Sequence, residues 1–276
     1  TYNEEKIVEE CLKSLNNQTY RDMEIIVVDD GSTDKTLKVL SELRFKNYEF
    51  RVLEQKHKGP GVARNLGAKY AKGEILVFVD ADMIFDSDFV ENLTKPIKDG
   101  KTIGTFSKEE YLINQDNVWS QCWNINKGLP LDRMHGKNYP NQQSVFRAIL
   151  KKKFIRAGGF LPIGYVDDYT LSEKLGVLAT VAKGAKFYHK NPENLWEIFK
   201  QARWVGKSEY KRRKIKNESL MKIFAIFRYS LPFSLMHGSL AALKYRLPQY
   251  FIFKIVYDLA VEISLIGAFL GEQPNK

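Results

Sequence analysis

The chain has 276 residues, of which 44 % are apolar and 28 % charged, so a full core can be buried beneath an ordinary charged surface. Its net charge of +10 calls for an anionic partner: nucleic acid, a phosphorylated substrate or a membrane face. Two cysteines, Cys11 and Cys122, show neither disulfide nor metal spacing, which argues against a crosslinked scaffold and fits a reducing compartment.

The chain opens with "TYNEE" and passes at once into a helical pattern over about 4–17, with Ile7, Val8, Cys11, Leu12 and Leu15 on one face. An α/β domain ordinarily places a strand before such a helix, so a first strand is expected outside this sequence. The strand "MEIIVV", a helix near 34–46, the strand "EFRVLE", a helix near 61–72 and the strand "EILVFV" follow. The first and last of these strands are continuous apolar runs, so both faces are expected to be covered. The alternation predicts βαβ units and a parallel sheet. Helices are expected near 87–98 and 115–127, then irregular sequence over 128–142. A short strand, a helix, the acidic "YVDDYTL", a strand pair near 177–188 and a helix from Pro192 complete this part.

The tail differs in character. "KSEYKRRKIK" at 207–216 is a basic run, followed by aromatic-rich apolar stretches at 219–243 and 249–270. Neither is a clean span of about 20 uncharged residues. They read as amphipathic helices at a membrane interface, or as a helical hairpin packed on the globular domain. Lys254, Asp258 and Glu262 recur every fourth residue and share one helical stripe, expected to face water, lipid headgroups or the globular domain. The expected organisation is a catalytic domain over 1–206 and a membrane-associating tail over 207–276.

Two apolar strands each run into paired acids: "IIVVDDGSTDKT" ends on Asp29 and Asp30, and "ILVFVDADM" on Asp80 and Asp82. Ligands of open parallel sheets bind beyond the carboxyl ends of the strands, so the four acids are expected at one site. If the chain stays extended, Asp80 and Asp82 point the same way and suit Mg2+ or Mn2+ bridging to a diphosphate. "HKGPGVARN" lies between them in sequence; its glycines allow close backbone approach, and Lys58 and Arg64 are placed to face a phosphate at a helix start. A third pair, Asp167 and Asp168, opens a helical pattern; one acid serves as a cap, and a second is free to act as general base. His189 follows the strand "AKFYH" and precedes a helix, where it is able to look into the same site or serve structure alone.

Taken together and in order, these motifs over about residues 1–206 resemble the family 2 glycosyltransferases of GT-A fold: a Rossmann-like, mostly parallel sheet with helices on both faces. The resemblance implies that Tyr2 and Asn3 contact the nucleotide, that Asp30 reads the base, that Asp80 contacts the ribose or a metal-bound water, and that Asp82 binds the metal. It further implies Asp168 as the base beside Asp167, His189 as a further metal ligand, and Arg203 and Trp204 lining the acceptor channel. Lys200 stands where the channel motif usually has Gln, which favours transfer of a single sugar over polymer synthesis. The implied reaction is an inverting transfer from a nucleotide diphosphate sugar to a glycan hydroxyl or a lipid-linked polyprenyl phosphate, at the cytoplasmic face of an anionic membrane. Two other classes share parts of the pattern: a receiver-type magnesium-dependent phosphoacceptor, which needs far less chain, and an inactive membrane-bound module of the same fold. Nucleic-acid binding is not expected, since aromatics interleaved with basic residues on a strand face are not evident.

Overall fold

The computed structural model describes residues 1–45, 47–136, 138–162, 167–209 and 227–269. They form two compact units: residues Thr1–Tyr111 with Arg133–His189, and Leu112–Asp132 with Lys190–Lys276. The expected boundary at residue 206 falls inside a helix, α8 (Leu195–Glu209), which the second unit contains entire.

The first unit is α/β. Helix α1 (Val8–Asn16) buries Val8, Cys11, Leu12 and Leu15, the stripe that its apolar spacing dictates. Strand β1 (Glu24–Asp29) pairs in parallel with β2 (Glu49–Glu54), and α2 (Thr36–Glu42) crosses between them in the chain. On the other edge of β1, the Thr1 amine donates to Val28 O at 2.8 Å and Asp30 N donates to Thr1 O at 2.9 Å. The opening residues are therefore tied to the carboxyl end of β1. Helix α3 (Pro60–Tyr70) begins with proline in its first turn, and Ala63 and Ala68 are buried.

Strand β3 (Ile75–Val77) belongs to a five-stranded sheet of order β3-β8-β5-β9-β7, with β5 (Gly104–Phe106), β7 (Gln142–Gln143), β8 (Ala148–Leu150) and β9 (Ala179–Val181). A second sheet of three strands has the order β4-β10-β6, with β4 (Met83–Phe85), β6 (Glu110–Leu112) and β10 (Phe187–His189). The sheets are mixed where a mostly parallel sheet was expected. Strand β8 runs antiparallel to both β3 and β5, β7 antiparallel to β9, and β10 antiparallel to β4, whereas β1–β2 and β5–β9 are parallel. Likewise β9 and β10 are not a pair: a turn at Lys183–Gly184 sends them to different sheets. Helix α4 (Phe89–Lys98) contributes Phe89, Val90, Leu93 and Ile97 to a core shared with α1, β4 and β10. Helices α6 (Lys151–Arg156) and α7 (Asp167–Leu175) supply Phe154 and Leu171 to a second core around Phe106, Phe146 and Ile149.

The second unit is helical. Helices α5 (Val118–Asn126), α8, α9 (Leu231–Tyr245) and α10 (Gln249–Phe269) pack around Trp123, Ile198, Ala202, Phe253, Tyr257 and Val261. Of the surroundings expected for the charged stripe of α10, Lys254 and Asp258 take protein rather than water or headgroups. Asp258 is fully buried, accepting from Lys254 Nζ at 2.8 Å and from Ser234 Oγ at 2.7 Å, while Lys254 also donates to Asn126 Oδ1 at 3.3 Å. Outward instead point Leu231, Met236, Leu240 and Leu243 of α9, and Ile252, Leu259, Ile263 and Ile266 of α10. A buried carboxylate needs its partners, so the charges turn inward and the aliphatic side chains turn out. No helix among the described residues is long and apolar enough to cross a membrane. The basic run at 207–216 begins in the last turn of α8 and otherwise lies outside the described residues, as does the segment 219–226.

Candidate active site

At the carboxyl end of β1 the two acids divide their work. Asp29 turns the chain, its Oδ2 accepting from Gly31 N at 3.1 Å and Ser32 N at 2.9 Å. Asp30 gathers the loop before α3: its carboxylate accepts from Gln55 Nε2 at 2.6 Å, Lys58 N at 2.9 Å and Gly59 N at 2.8 Å. Gly59 adopts φ +91°, a left-handed conformation that lets successive amides converge on one carboxylate. The His57 ring completes the arrangement, with Nδ1 2.9 Å from Asp30 Oδ2 and its face stacked on Tyr2 at 4.2 Å between centroids. Asn3, at φ +55°, accepts from Thr33 N at 2.8 Å through Oδ1. Tyr2 and Asp30 are thus joined through His57, whereas Asn3 and Asp29 hold loops.

Beyond β3 the "DAD" segment is a turn, not an extended strand, and Met83 N closes it on Asp80 O at 3.3 Å. The expectation that Asp80 and Asp82 share one direction therefore fails, and the two carboxylates have different partners. Asp80 lies 2.7 Å from Arg64 Nη2 and 3.0 Å from Arg147 Nη1. Partial burial works against the Asp80 charge, but Arg64 and Arg147 outweigh it and hold the carboxyl well below its usual range.

Arg64 is the hub. Besides Asp80, its Nη1 lies 3.0 Å from Asp167 Oδ1 and 2.6 Å from Asp168 Oδ1. Burial disfavours the guanidinium charge; Asp168, Asp80 and Asp167 overcome that and bind its proton more firmly than usual. The two acids of α7 differ sharply. Asp167 is almost fully buried and its Oδ2 has no hydrogen-bond partner, whereas 28 % of the Asp168 side chain is exposed. Burial, opposed by Arg64 and reinforced by Asp168, pushes the Asp167 carboxyl up to about 7. Gly61 makes this possible: a Cβ there would sit 2.7 Å from Asp167 Oδ2.

Asp82 faces a different group. Its Oδ2 is 4.0 Å from His189 Nε2, too long for a hydrogen bond, and its Oδ1 is buried without a partner. Among the described residues no three His, Cys, Asp or Glu side chains form a ready-made metal site. The donor set nevertheless fits Mg2+ or Mn2+ held jointly with substrate phosphates: one carboxylate with a free buried oxygen, one imidazole, and an opening between them no wider than two metal–ligand bonds of about 2.2 Å. Arg203 and Trp204 lie on α8 in the helical unit, where Arg203 Nε is buried without a hydrogen-bond partner.

Four participants escaped the sequence reading. Arg147 stands in "SVFRAIL", a lone cation in an apolar strand run and the one signal that was available. His57 lies inside "HKGPGVARN" but draws no attention beside its glycines. Glu110 and His135 carry no local pattern; a loop brings His135 Nε2 to 3.2 Å from Glu110 Oε2.

Known proteins resemble this chain in sequence and in fold. A family model described as glycosyl transferase family 2 matches residues 1–158. Glycosyltransferase GlyG of Streptococcus pneumoniae is 37 % identical over 99 residues, 36 % of this chain and 33 % of GlyG. The poly(ribitol-phosphate) beta-N-acetylglucosaminyltransferase TarS of Staphylococcus aureus is 45 % identical over 85 residues, 30 % of this chain and 15 % of TarS. The matched segments thus span a third or less of these relatives. Among solved structures, S. aureus TarS 1-349 in complex with UDP superposes with a TM-score of 0.54 at 18 % identity, covering 99 % of this chain and 90 % of that one. The mannosyltransferase PcManGT of Pyrobaculum calidifontis, in complex with GDP-Man and Mn2+, gives 0.57 at 19 % identity, covering 96 % and 85 %. At such identity the superpositions establish the GT-A fold, and the family match, over more than half of the sequence, establishes descent: the chain belongs to glycosyl transferase family 2.

Proposed function

We propose that this chain transfers a single sugar, with inversion, from a nucleotide diphosphate sugar to a glycan hydroxyl or a polyprenyl phosphate, with Mg2+ or Mn2+ as cofactor. One observation carries the reading. A single guanidinium, Arg64, ties Asp80 to the Asp167–Asp168 pair in the same unit where Asp82 keeps an unpartnered buried oxygen beside His189. A fold that needed only stability has no use for six ionisable side chains placed so.

The base lies near Tyr2 and Asp30, where the Tyr2–His57 stack offers an aromatic surface. Arg64 and Arg147 supply fixed positive charge beside the ribose and diphosphate. Asp82 and His189 hold the cation, which when bound neutralises the leaving diphosphate. Asp168 accepts the proton of the acceptor hydroxyl as its oxygen bonds the anomeric carbon and the bond to the diphosphate breaks. The exposure of Asp168 and the burial of Asp167 favour this assignment, since only an accessible carboxylate can reach an acceptor. A polyprenyl phosphate oxygen is already ionised and needs little base. Arg203 and Trp204 are assigned to the acceptor side.

Association with the cytoplasmic face of an anionic membrane is part of the proposal. The outward aliphatic stripes of α9 and α10 suit shallow insertion, and the basic run at 207–216 suits acidic headgroups. A lipid-linked acceptor for envelope glycan would be presented there.

The test is a donor screen. The chain is incubated with UDP- and GDP-sugars, with Mn2+, and with a glycan or a short polyprenyl phosphate. Release of nucleoside diphosphate that depends on one donor and one acceptor is expected. A folded chain that releases none with any pair would instead mark an inactive module.

A further inference from the structure

Strand β10 lies between β4 and β6, so the residue at its end has a neighbour on either side. That residue is His189. In register it faces Met83, one position past Asp82, and its Nε2 looks toward Asp82 Oδ2 at 4.0 Å. On the other side Glu110, from β6, brings Oε1 to 3.8 Å from His189 Nδ1. The Nδ1 atom is buried and has no hydrogen-bond partner. A shift of under about 1 Å would let it donate to Glu110. Glu110 is itself fixed: its other oxygen, Oε2, lies 3.2 Å from His135 Nε2, and the His135 ring is stacked on Tyr139 at 4.0 Å.

We infer that Glu110 is a positioning residue for His189, accepting a hydrogen bond from Nδ1–H and so directing the Nε2 lone pair toward the cation site at Asp82. An imidazole has one lone pair in its neutral form, and whichever nitrogen donates a hydrogen bond leaves the other to ligate. A carboxylate behind a metal-binding histidine selects the tautomer, holds the ring plane and raises its basicity. His135 anchors Glu110 from behind, through a stacked ring. The line His135–Glu110–His189–Asp82 crosses the three-stranded sheet from one edge to the other. This inference rests on the proposal that Asp82 and His189 hold the cation.

Two measurements test it. Mn2+ affinity is read by the loss of the free-ion paramagnetic resonance signal, with UDP and separately with GDP present, for the parent chain, Asp82→Asn, His189→Ala and Glu110→Gln. Glu110→Gln is expected to weaken Mn2+ binding about 10- to 100-fold, with a melting temperature near that of the parent. If Asp82→Asn and His189→Ala weaken binding but Glu110→Gln does not, this inference is wrong and the metal reading stands. If Asp82→Asn binds as the parent does, or the parent binds no Mn2+, the metal reading falls and the inference with it. The second measurement needs no variant. The chain has four histidines, and 15N ring shifts at pH 8, with and without Mg2+ and UDP, report which nitrogen of His189 carries the proton. A proton on Nδ1 in both states is expected; one on Nε2 in both would overturn the assignment, even if Glu110→Gln failed to fold.

Discussion

Arg64 and Asp168 meet at 2.6 Å, and the same guanidinium reaches Asp80 at 2.7 Å, so one helix side chain fastens the first acid after β3 to the acids that open α7. These carboxylates are 88 residues apart in the sequence (168 − 80). Without the shared cation they would repel one another across a partly buried site.

Arg64→Ala is therefore expected to cost stability as well as turnover. Leaving buried carboxylates without their cation costs about 3–5 kcal/mol in comparable buried pairs. Arg64→Lys keeps the charge but not the fork, and is expected to recover part of the stability and little of the activity. Denaturant midpoints read the first effect. A midpoint for Arg64→Ala equal to that of the parent would show that the acids do not depend on this hub.

Asp168→Asn is expected to lower turnover with a hydroxyl acceptor by about 10²- to 10⁴-fold while donor affinity stays close to that of the parent. Isothermal titration of the donor together with initial rates separates the two. Parallel loss of donor binding would move Asp168 to the donor site. A larger effect from Asp167→Asn would move the base by one residue. With a polyprenyl phosphate acceptor the penalty is expected to be much smaller.

Asp167 gives a pH dependence whose sign follows from its burial. Folded Asp167 holds its proton up to about pH 7, above the ordinary aspartate value of 3.8, so the proton is bound more tightly folded than unfolded. The protonated form thus favours the fold, and stability from this group is lost as pH rises from about 4 through 7. Thermal melts of Asp167→Asn are expected to decline less than those of the parent between pH 5 and pH 8. Parallel curves over that range would contradict the assignment.

Much of this site was legible in the residues. Acids at the ends of apolar runs, an arginine one turn into a helix and a histidine after a strand are local patterns, and the structure gathers Asp80, Asp82, Arg64, Asp168 and His189 in one unit. What escaped depends on tertiary pairing. No local signal says that β8 runs antiparallel between β3 and β5, and it is this strand that carries Arg147 to Asp80. The turn at Asp80–Met83 reverses a period-2 expectation, because the apolar run of "EILVFV" outlasts the ladder, which ends at Val77. The spacing of Lys254 and Asp258 puts them on one helical stripe but leaves open whether that stripe faces water, headgroups or protein. Charge placement on a helix does not reveal whether a neighbouring serine and asparagine wait to receive it.

The outward face of α9 gives a membrane test that leaves the helical core intact. Removing the chain after residue 206 would strip Phe253, Tyr257 and Val261 from the core of the second unit, so substitution is the better probe. Leu240→Glu with Leu243→Glu alters two side chains that are 60 % and 77 % exposed. Flotation with vesicles containing acidic lipid is expected to recover the parent chain and much less of the double variant, at equal melting temperature. Equal flotation would remove α9 from the proposed contact. A salt-insensitive interaction would remove the basic run.

The most direct test of the central claim is nucleoside diphosphate release by the parent chain and by Asp82→Ala, each with Mn2+ and each with excess chelator. The parent is expected to turn over with Mn2+, to stop in chelator and to recover when metal is restored, while Asp82→Ala stays inactive throughout although folded. Undiminished release by the parent in excess chelator, or parent-like release by Asp82→Ala, would contradict a metal-assisted transfer at this site.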